Sequence, residues 1–394
     1  MSPARAAPAT GAVVIGGDYQ GLGIVRSLGR AGVPVMVLDD ELSISRASRF
    51  SRRTVRVPSL RDENATVRAL DLLCQRYPVE GWVLYPTREE TVAALARNRA
   101  RLAGQFRVPT PGWEVVRHAW DKRATYDLAQ RLGVPTPRAW FGLCRDDLSG
   151  FDLSGPVVLK PAIKEHFIYE TGAKAWRADT PEQLRQRFSE AAGIVGDAEV
   201  IIQELVPGDG AHQFAYCAFF KDGAPLASMT VRRRRQHPSD FGRASTFVET
   251  VSVPDIEEPS IRFLDAIGYY GLVELEYKLD PRDGRYKLLD VNARTWGYHS
   301  LGAAAGVDFP HLLYRDQLGD EPAPVQARPG VRWIRLATDV PNAVVDIRAG
   351  RLRPRDYLRS LRHIDVEAVF SLRDPLPAAY ELTLLPYLFV KRGL

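Results

Sequence analysis

Two stretches decide the fold: Gly271-Leu-Val-Glu-Leu-Glu-Tyr-Lys-Leu-Asp and, a turn later, Lys287-Leu-Leu-Asp-Val-Asn-Ala-Arg. Side chains two apart on a strand share a face, so Glu274 and Glu276 project together, as do Asp290, Asn292 and Arg294. The intervening Leu275, Leu288, Leu289 and Val291 suit a buried face, and Pro281-Arg282-Asp283-Gly284 supplies the turn of a hairpin. With Glu276 opposite Asp290, the β-carbons stand about 5 Å apart, which destabilises two bare carboxylates. A divalent cation relieves that, since Mg²⁺ is commonly held by one or two carboxylates plus substrate phosphates. Direct pairing requires a five-residue connection, Pro281 to Arg285, or a bulge; a strict four-residue turn sets Glu276 against Leu289. An isolated pair of acids reads as a solvated hairpin edge. An Asn and an Arg extending the same face suit a metal-and-phosphate site better.

Upstream, Ala12-Val-Val-Ile-Gly-Gly is an apolar run ending in glycines, followed by a helical stretch, Gly21 to Ala31, and a second apolar run, Val33 to Leu38, before Asp39-Asp40. Strand, turn, helix and strand in that order call for a parallel sheet with a right-handed crossover. A helix over 63–77, a strand over 81–85 and a helix over 88–102 extend it, until Pro109, Pro111 and Gly112 mark a boundary. A smaller α+β unit follows: helix 122–132, strands 156–160 and 173–177, helix 181–192 and strand 199–205. Next comes a hairpin, 212–221 and 225–233, around Asp222-Gly223.

Gly16-Gly17-Asp18-Tyr19-Gln20-Gly21-Leu22-Gly23 sits where a dinucleotide-binding protein has its phosphate loop, with Asp39 at the ribose-binding distance. The strict G-x-G-x-x-G spacing is absent, so the run reads first as a turn that lets strand and helix pack closely. An NAD-dependent oxidoreductase stays open as the alternative.

The chain has 394 residues, too many for one ordinary core, with 45% hydrophobic and 26% charged residues and a net charge of +5. That composition excludes fibrous and largely disordered classes. The mild positive charge suits anionic ligands such as nucleotides, and also weak contact with nucleic acid or a membrane surface. Cys74, Cys144 and Cys217 are too few and too scattered for a disulfide framework or a metal knuckle, which points to a reducing cytoplasm. No apolar stretch has the length of a bilayer span.

Glu276 followed by Asp290-Val-Asn292-Ala-Arg294 resembles the metal-binding signature of the ATP-grasp superfamily, with Asp290 where many members have Glu. The resemblance is to its carboxylate–amine ligase type and covers roughly residues 10–330. It implies an α/β and α+β architecture: a flexible tail, 1–10; a Rossmann-like pre-ATP-grasp domain, 11–115; an ATP-grasp domain, 116–330, with a lid at about 138–206; and a mixed C-terminal extension, 331–394. It also implies ATP and Mg²⁺ as cofactors, small-molecule carboxylate and amine substrates, and no nucleic-acid partner.

The same resemblance assigns roles. Glu276, Asp290 and Asn292 are metal ligands, and Arg294 steadies the acyl phosphate or substrate. Lys160, ending the apolar run Val157-Val-Leu, reaches the phosphates, with Lys122 before the lid and Lys174 beyond its loop. Gln203, Glu204, Leu205 and Val206 form the adenine hinge, and Asp209 and His212 face the ribose. The loop Ala162 to Gly172 has one glycine where many members have a Gly/Ser-rich phosphate flap. Arg232-Arg-Arg-Arg235-Gln236-His237, then Phe241-Gly242 and Glu249, is similar to the segment closing over the γ-phosphate and acceptor. By alternation Arg233 and Arg235 share a face, and Arg235 is the expected anion clamp beside Gln236 and His237. Trp296, Tyr298 and His299 either wall the acceptor pocket or pack beneath the hairpin. In the tail, Tyr380 to Val390 followed by Lys391-Arg392 reads as a docked helix, a dimer contact or an interfacial helix touching lipid. A basic non-catalytic binding protein is the last alternative, and it leaves the acid–acid–Asn–Arg set without a use.

Overall fold

The computed structural model describes residues 10–238, 242 and 244–392, without the side chains of 388–392. All but the last residue of the expected amino-terminal tail, and Phe241, lie outside them.

Four parallel strands form the first sheet, in the order Ser51–Arg56, Val35–Asp39, Ala12–Ile15 and Val83–Pro86. The last three in that order are mainly apolar and fully buried, as a sheet covered by helices on both faces requires. Ser51–Arg56 has no apolar run to announce it. It is an edge strand whose exposed arginines suit an unpaired sheet margin. The glycine turn is a packing device. Asp39 is 1% exposed, accepts from the Gly17 amide at 2.6 Å and is ion-paired with Arg88 at 3.1 Å. A β-carbon on Gly21 would stand 2.1 Å from the Gly16 carbonyl, so the helix Tyr19–Arg30 starts where only glycine fits.

The central sheet has eight strands. Its main path runs Tyr286–Asn292, Gly271–Leu279, Gln213–Lys221, Ala224–His237, Ala244–Val251, Arg332–Ile334 and Val366–Glu367. Both predicted hairpins lie in it. The segment from 331 onward joins the sheet, with Phe247 paired to Ile334, before the helices Leu336–Arg348, Pro354–Ser360 and Leu376–Arg392. A third sheet of four strands is ordered Ala139–Trp140, Val200–Glu204, Val157–Pro161, Trp176–Ala178 and carries the helix Pro181–Val195. The glycine-poor loop is in part a helix, Glu165–Thr171. With Phe167 buried against Trp176, it packs as a small core element rather than an open flap.

Trp296 and His299 lie where the first sheet's helix meets the central sheet. Trp296 is fully buried edge-to-face against Phe309, with ring centroids 4.9 Å apart. His299 is 2% exposed, its Nε2 lies 2.9 Å from the Gln20 carbonyl, and a β-carbon on Gly23 would approach that nitrogen to 2.5 Å. Both side chains are thus part of the core, and the acceptor-pocket reading of Trp296 and His299 is corrected: the turn after Arg294 drives them inward under the glycine helix.

Burial lowers the His299 imidazole from 6.5 to about 4. The unfolded chain therefore binds a proton between those values that the native state excludes, and native stability falls as pH drops from 6.5 towards 4. The full effect is about 3 kcal/mol. In denaturant titrations across this window, His299→Asn should flatten the slope relative to wild type, carboxylate titration being common to both.

Candidate active site

The carboxylate hairpin is built by a bulge. Near the turn the register is Lys278 to Lys287 and Tyr277 to Leu288; beyond it Glu276 faces Asp290, Leu275 faces Val291 and Glu274 faces Asn292. Leu289 is the extra residue. It absorbs the mismatch set by the turn and turns Asp290 back onto the face of Glu276, the outcome that the bulge alternative required.

Glu274 is buried, Glu276 and Asp290 are half-buried, and neighbouring donors and cations compensate all three. Asn292 Nδ2 donates to Glu274 Oε2 at 3.0 Å and to Glu276 Oε1 at 3.1 Å, and the Tyr298 hydroxyl donates to Glu274. Burial and the neighbouring Glu276 lift Glu274 to about 7. Burial would raise Glu276 as well, but Arg233, 3.3 Å away, and Lys174 hold it below its ordinary value. Asp290 is ion-paired with Lys122; against its burial, Lys122, Lys164 and Lys160 keep it well below the carboxylate range.

Facing the hairpin is a cavity of about 660 Å³ between the central and small sheets. Lys160, Lys174, Lys122, Glu276 and Asp290 line it on one side. Gln203, Glu204, Leu205, Val206 and Asp209 line it further along, with Gln236 on its wall. Lys160 donates to the Tyr126 hydroxyl at 2.6 Å, and that oxygen lies 2.8 Å from Gln203 Oε1. Burial, with Lys122 nearby, lowers Lys160 to about 7, and burial lowers Lys174 to about 8. Two amines held this far below their ordinary value in a cavity await an anion that restores their charge. The donor set also fits Mg²⁺: two facing carboxylates and an amide, with room beside them for phosphate oxygens.

Other predicted residues fall elsewhere. The Glu204 carboxylate faces Lys287 at 3.2 Å and Arg282 at 3.3 Å, so backbone groups and neighbouring apolar side chains are what the hinge presents to a ring. His212 does not line the cavity; it lies 2.8 Å from the rim residue Asp209. Arg294 leaves the cavity for the first domain, pairing with Glu89 at 2.8 Å beside Asn292 at 3.4 Å.

The arginine run departs most from its reading. Register shifts on both sides of Arg235 break the alternation, so Arg233 reaches Glu276 while Arg235 turns away. Arg235 is bidentate to the fully buried Asp339 at 2.8 and 2.9 Å and bonds Ser360 at 2.9 Å. It is not in the cavity. His237 also turns outward, its Nδ1 lying 3.4 Å from Asn342 Oδ1.

The sequence reading missed Arg233 as the cavity guanidinium that reaches Glu276, and missed Tyr126, Lys164 and Lys278. Strand alternation from Glu276 was signal enough for Lys278. Lys164 had none, because its helix was taken for a loop. Arg235→Ala should strand Asp339 and cost about 3–5 kcal/mol in denaturant unfolding, while Arg233→Ala should leave stability closer to wild type and weaken anion binding in the cavity.

No family model matches the chain. In sequence it is similar to a D-aspartate ligase of Enterococcus faecium, 22% identical over 335 residues that cover 79% of this chain and 77% of the relative. In fold it is similar to an L-amino acid ligase from Bacillus licheniformis, with a TM-score of 0.61, 17% identity and coverage of 83% and 79%. A biotin carboxylase domain from Hydrogenobacter thermophilus, solved with MgADP and bicarbonate, gives a TM-score of 0.65 at 15% identity over 83% and 74% of the two chains. The chain thus shares the fold of these enzymes and is similar in sequence to a D-aspartate ligase, and its lysine-lined cavity closes on the carboxylate–Asn hairpin.

Proposed function

We propose that the protein is an ATP-dependent ligase that activates a carboxylate as an acyl phosphate for attack by an amine. The observation that carries this is the bulged hairpin, which sets Glu276 opposite Asp290 on the wall of a cavity that also holds Lys122, Lys160 and Lys174. In this reading the adenine rests against the hinge Gln203–Val206, with Asp209, oriented by His212, at the ribose. The phosphates run past Lys160 and Lys174 to the hairpin. Glu276, Asp290 and Asn292 hold Mg²⁺, which when bound neutralises charge on the phosphate oxygens. Lys122, now paired with Asp290, and Arg233, now paired with Glu276, are released to the phosphates.

A substrate carboxylate oxygen attacks the γ-phosphorus as the bond to ADP breaks. The amine nitrogen then attacks the acyl carbon, phosphate leaves, and the nitrogen loses a proton to give the amide. Positioning and electrostatics supply most of the acceleration in phosphoryl transfer, so Arg233 and Gln236, which line the cavity beside the hairpin, are the groups to orient the reacting carboxylate. Two of the relatives are amino-acid ligases by name, which makes an amino acid the first carboxylate to screen. A cytoplasmic setting agrees with three cysteines that are all free, and no helix among the described residues is long and apolar enough to cross a membrane.

Thermal unfolding with MgADP, MgATP and NAD tests the reading. Adenine nucleotide at about a hundred times Kd should stabilise wild type by about 2.7 kcal/mol, Asp290→Asn should lose the metal-dependent part, and NAD should do nothing. A shift with NAD alone sinks the proposal. Lys160→Ala should weaken MgADP by roughly tenfold or more, as loss of a charged hydrogen bond does. Because Lys160 titrates near 7 in the empty site, a polyphosphate that restores its charge takes up a proton. Affinity should therefore be greatest below pH 7 and fall as pH rises above it, by up to about tenfold per unit, and Lys160→Arg should flatten that profile.

A further inference from the structure

The helix Leu336–Arg348 is built inside out. It buries Thr338, Asp339 and Asn342 against the central sheet, where Asp339 receives Arg235 and the Thr246 hydroxyl. It exposes Leu336, Val340, Val344 and Val345, at 41, 42, 39 and 56%. Spacing of four places the first three in one stripe, and no charge interrupts the exposed face before Arg348 in the last turn. The stripe continues onto the loop before the terminal helix: one carboxylate, Glu367, accepts from the amides of both Leu336 and Phe370, and Phe370 and Leu372 are 53 and 86% exposed. Six of the sixteen exposed large apolar side chains among the described residues, Leu336, Val340, Val344, Val345, Phe370 and Leu372, belong to this stripe and its extension, so the patch is concentrated rather than part of a general scatter.

Beside it runs a stretch rich in positive charge. Between 348 and 362 stand six arginines and one acid, Asp356, a net of +5 that equals the net charge of the whole protein. All six arginines are exposed, and the helix Pro354–Ser360, which carries Arg355 and Arg359, is joined to Leu336–Arg348 through Arg235, which bonds both Asp339 and Ser360.

We propose that this face docks on a bilayer surface rich in anionic lipid, the apolar stripe entering the headgroup–acyl boundary and the arginines pairing with lipid phosphates. A helix of 13 residues lies flat over about 20 Å, and apolar area plus attraction to anionic headgroups sets the strength of such binding. A second copy of the chain fits less well, because a two-fold contact through the stripe sets one arginine run against its equal. The terminal helix Leu376–Arg392 is not the docking element. It is fastened to the molecule, Glu381 accepting from Arg335 at 2.9 Å and Leu384 being 6% exposed. The inference stands apart from the ligase reading and shares no residue with the cavity.

Sedimentation of the full chain with phosphatidylcholine vesicles, with and without phosphatidylglycerol, tests it, and the MgADP thermal shift serves as a check that each variant is folded. Binding should appear with the anionic vesicles, weaken with salt, and fall by more than about tenfold in Val340→Asp/Val344→Asp and in Arg355→Glu/Arg359→Glu. No association with anionic vesicles overturns the proposal, as does association that both double variants retain. A dimer in analytical ultracentrifugation that Val340→Asp/Val344→Asp dissociates overturns it in favour of a second copy.

Discussion

Three carboxylates crowded side by side on one hairpin, one buried and two half-buried, impose the condition on which the rest of the molecule depends. Glu274, Glu276 and Asp290 repel one another and lose hydration, and burying such groups costs several kcal/mol each unless cations and donors reach them. The compensation comes from four separate places in the chain: Lys122 at the head of a helix, Lys174 from the small sheet, Arg233 from the long central strand and Asn292 from the neighbouring strand. Meeting that condition brings together the elements that enclose the cavity. The cations that compensate the acids also line the cavity, and they hold the acids in internal pairs.

A second ionic cluster ties this centre to the first domain. Arg294, two residues past the strand Tyr286–Asn292, meets Glu89 at 2.8 Å, and Lys164 stands 3.6 Å from Glu89 and 3.5 Å from Glu165. Tyr169, on the same short helix as Glu165, donates to Glu90 and lies under Arg61 at 3.8 Å. The small sheet is thus attached to the Rossmann-like sheet through charge, and to the central sheet through the cavity. A loop seen from its composition as a poor phosphate flap acts here as a contact between units.

The hairpin was legible because period-two alternation and the acid–acid–Asn–Arg order are local, and so was the parallel sheet at the amino terminus with its apolar strands. The strand Ser51–Arg56 was not, since an edge strand has no apolar face to show in sequence. The helix Glu165–Thr171 was hidden for a related reason: bulky residues around one glycine fit a loop or a packed helix alike. Alternation placed Arg233 and Arg235 together, and two register shifts separated them. Trp296 and His299 stood beside the metal signature in sequence, yet the turn that follows it carries them under the glycine helix.

By itself the sequence determined the local units: which runs are strands, where they turn, and which acids share a face, because these follow from side-chain periodicity over a few residues. It also named the class of chemistry, through a signature contained in one hairpin. Only the tertiary structure decided which guanidinium enters the cavity, that Asp39 locks a turn instead of meeting a ribose, and that a tail helix shows its apolar side to solvent. These outcomes hang on bulges and on partners 22 to 104 residues away, and neither leaves a mark in the local pattern.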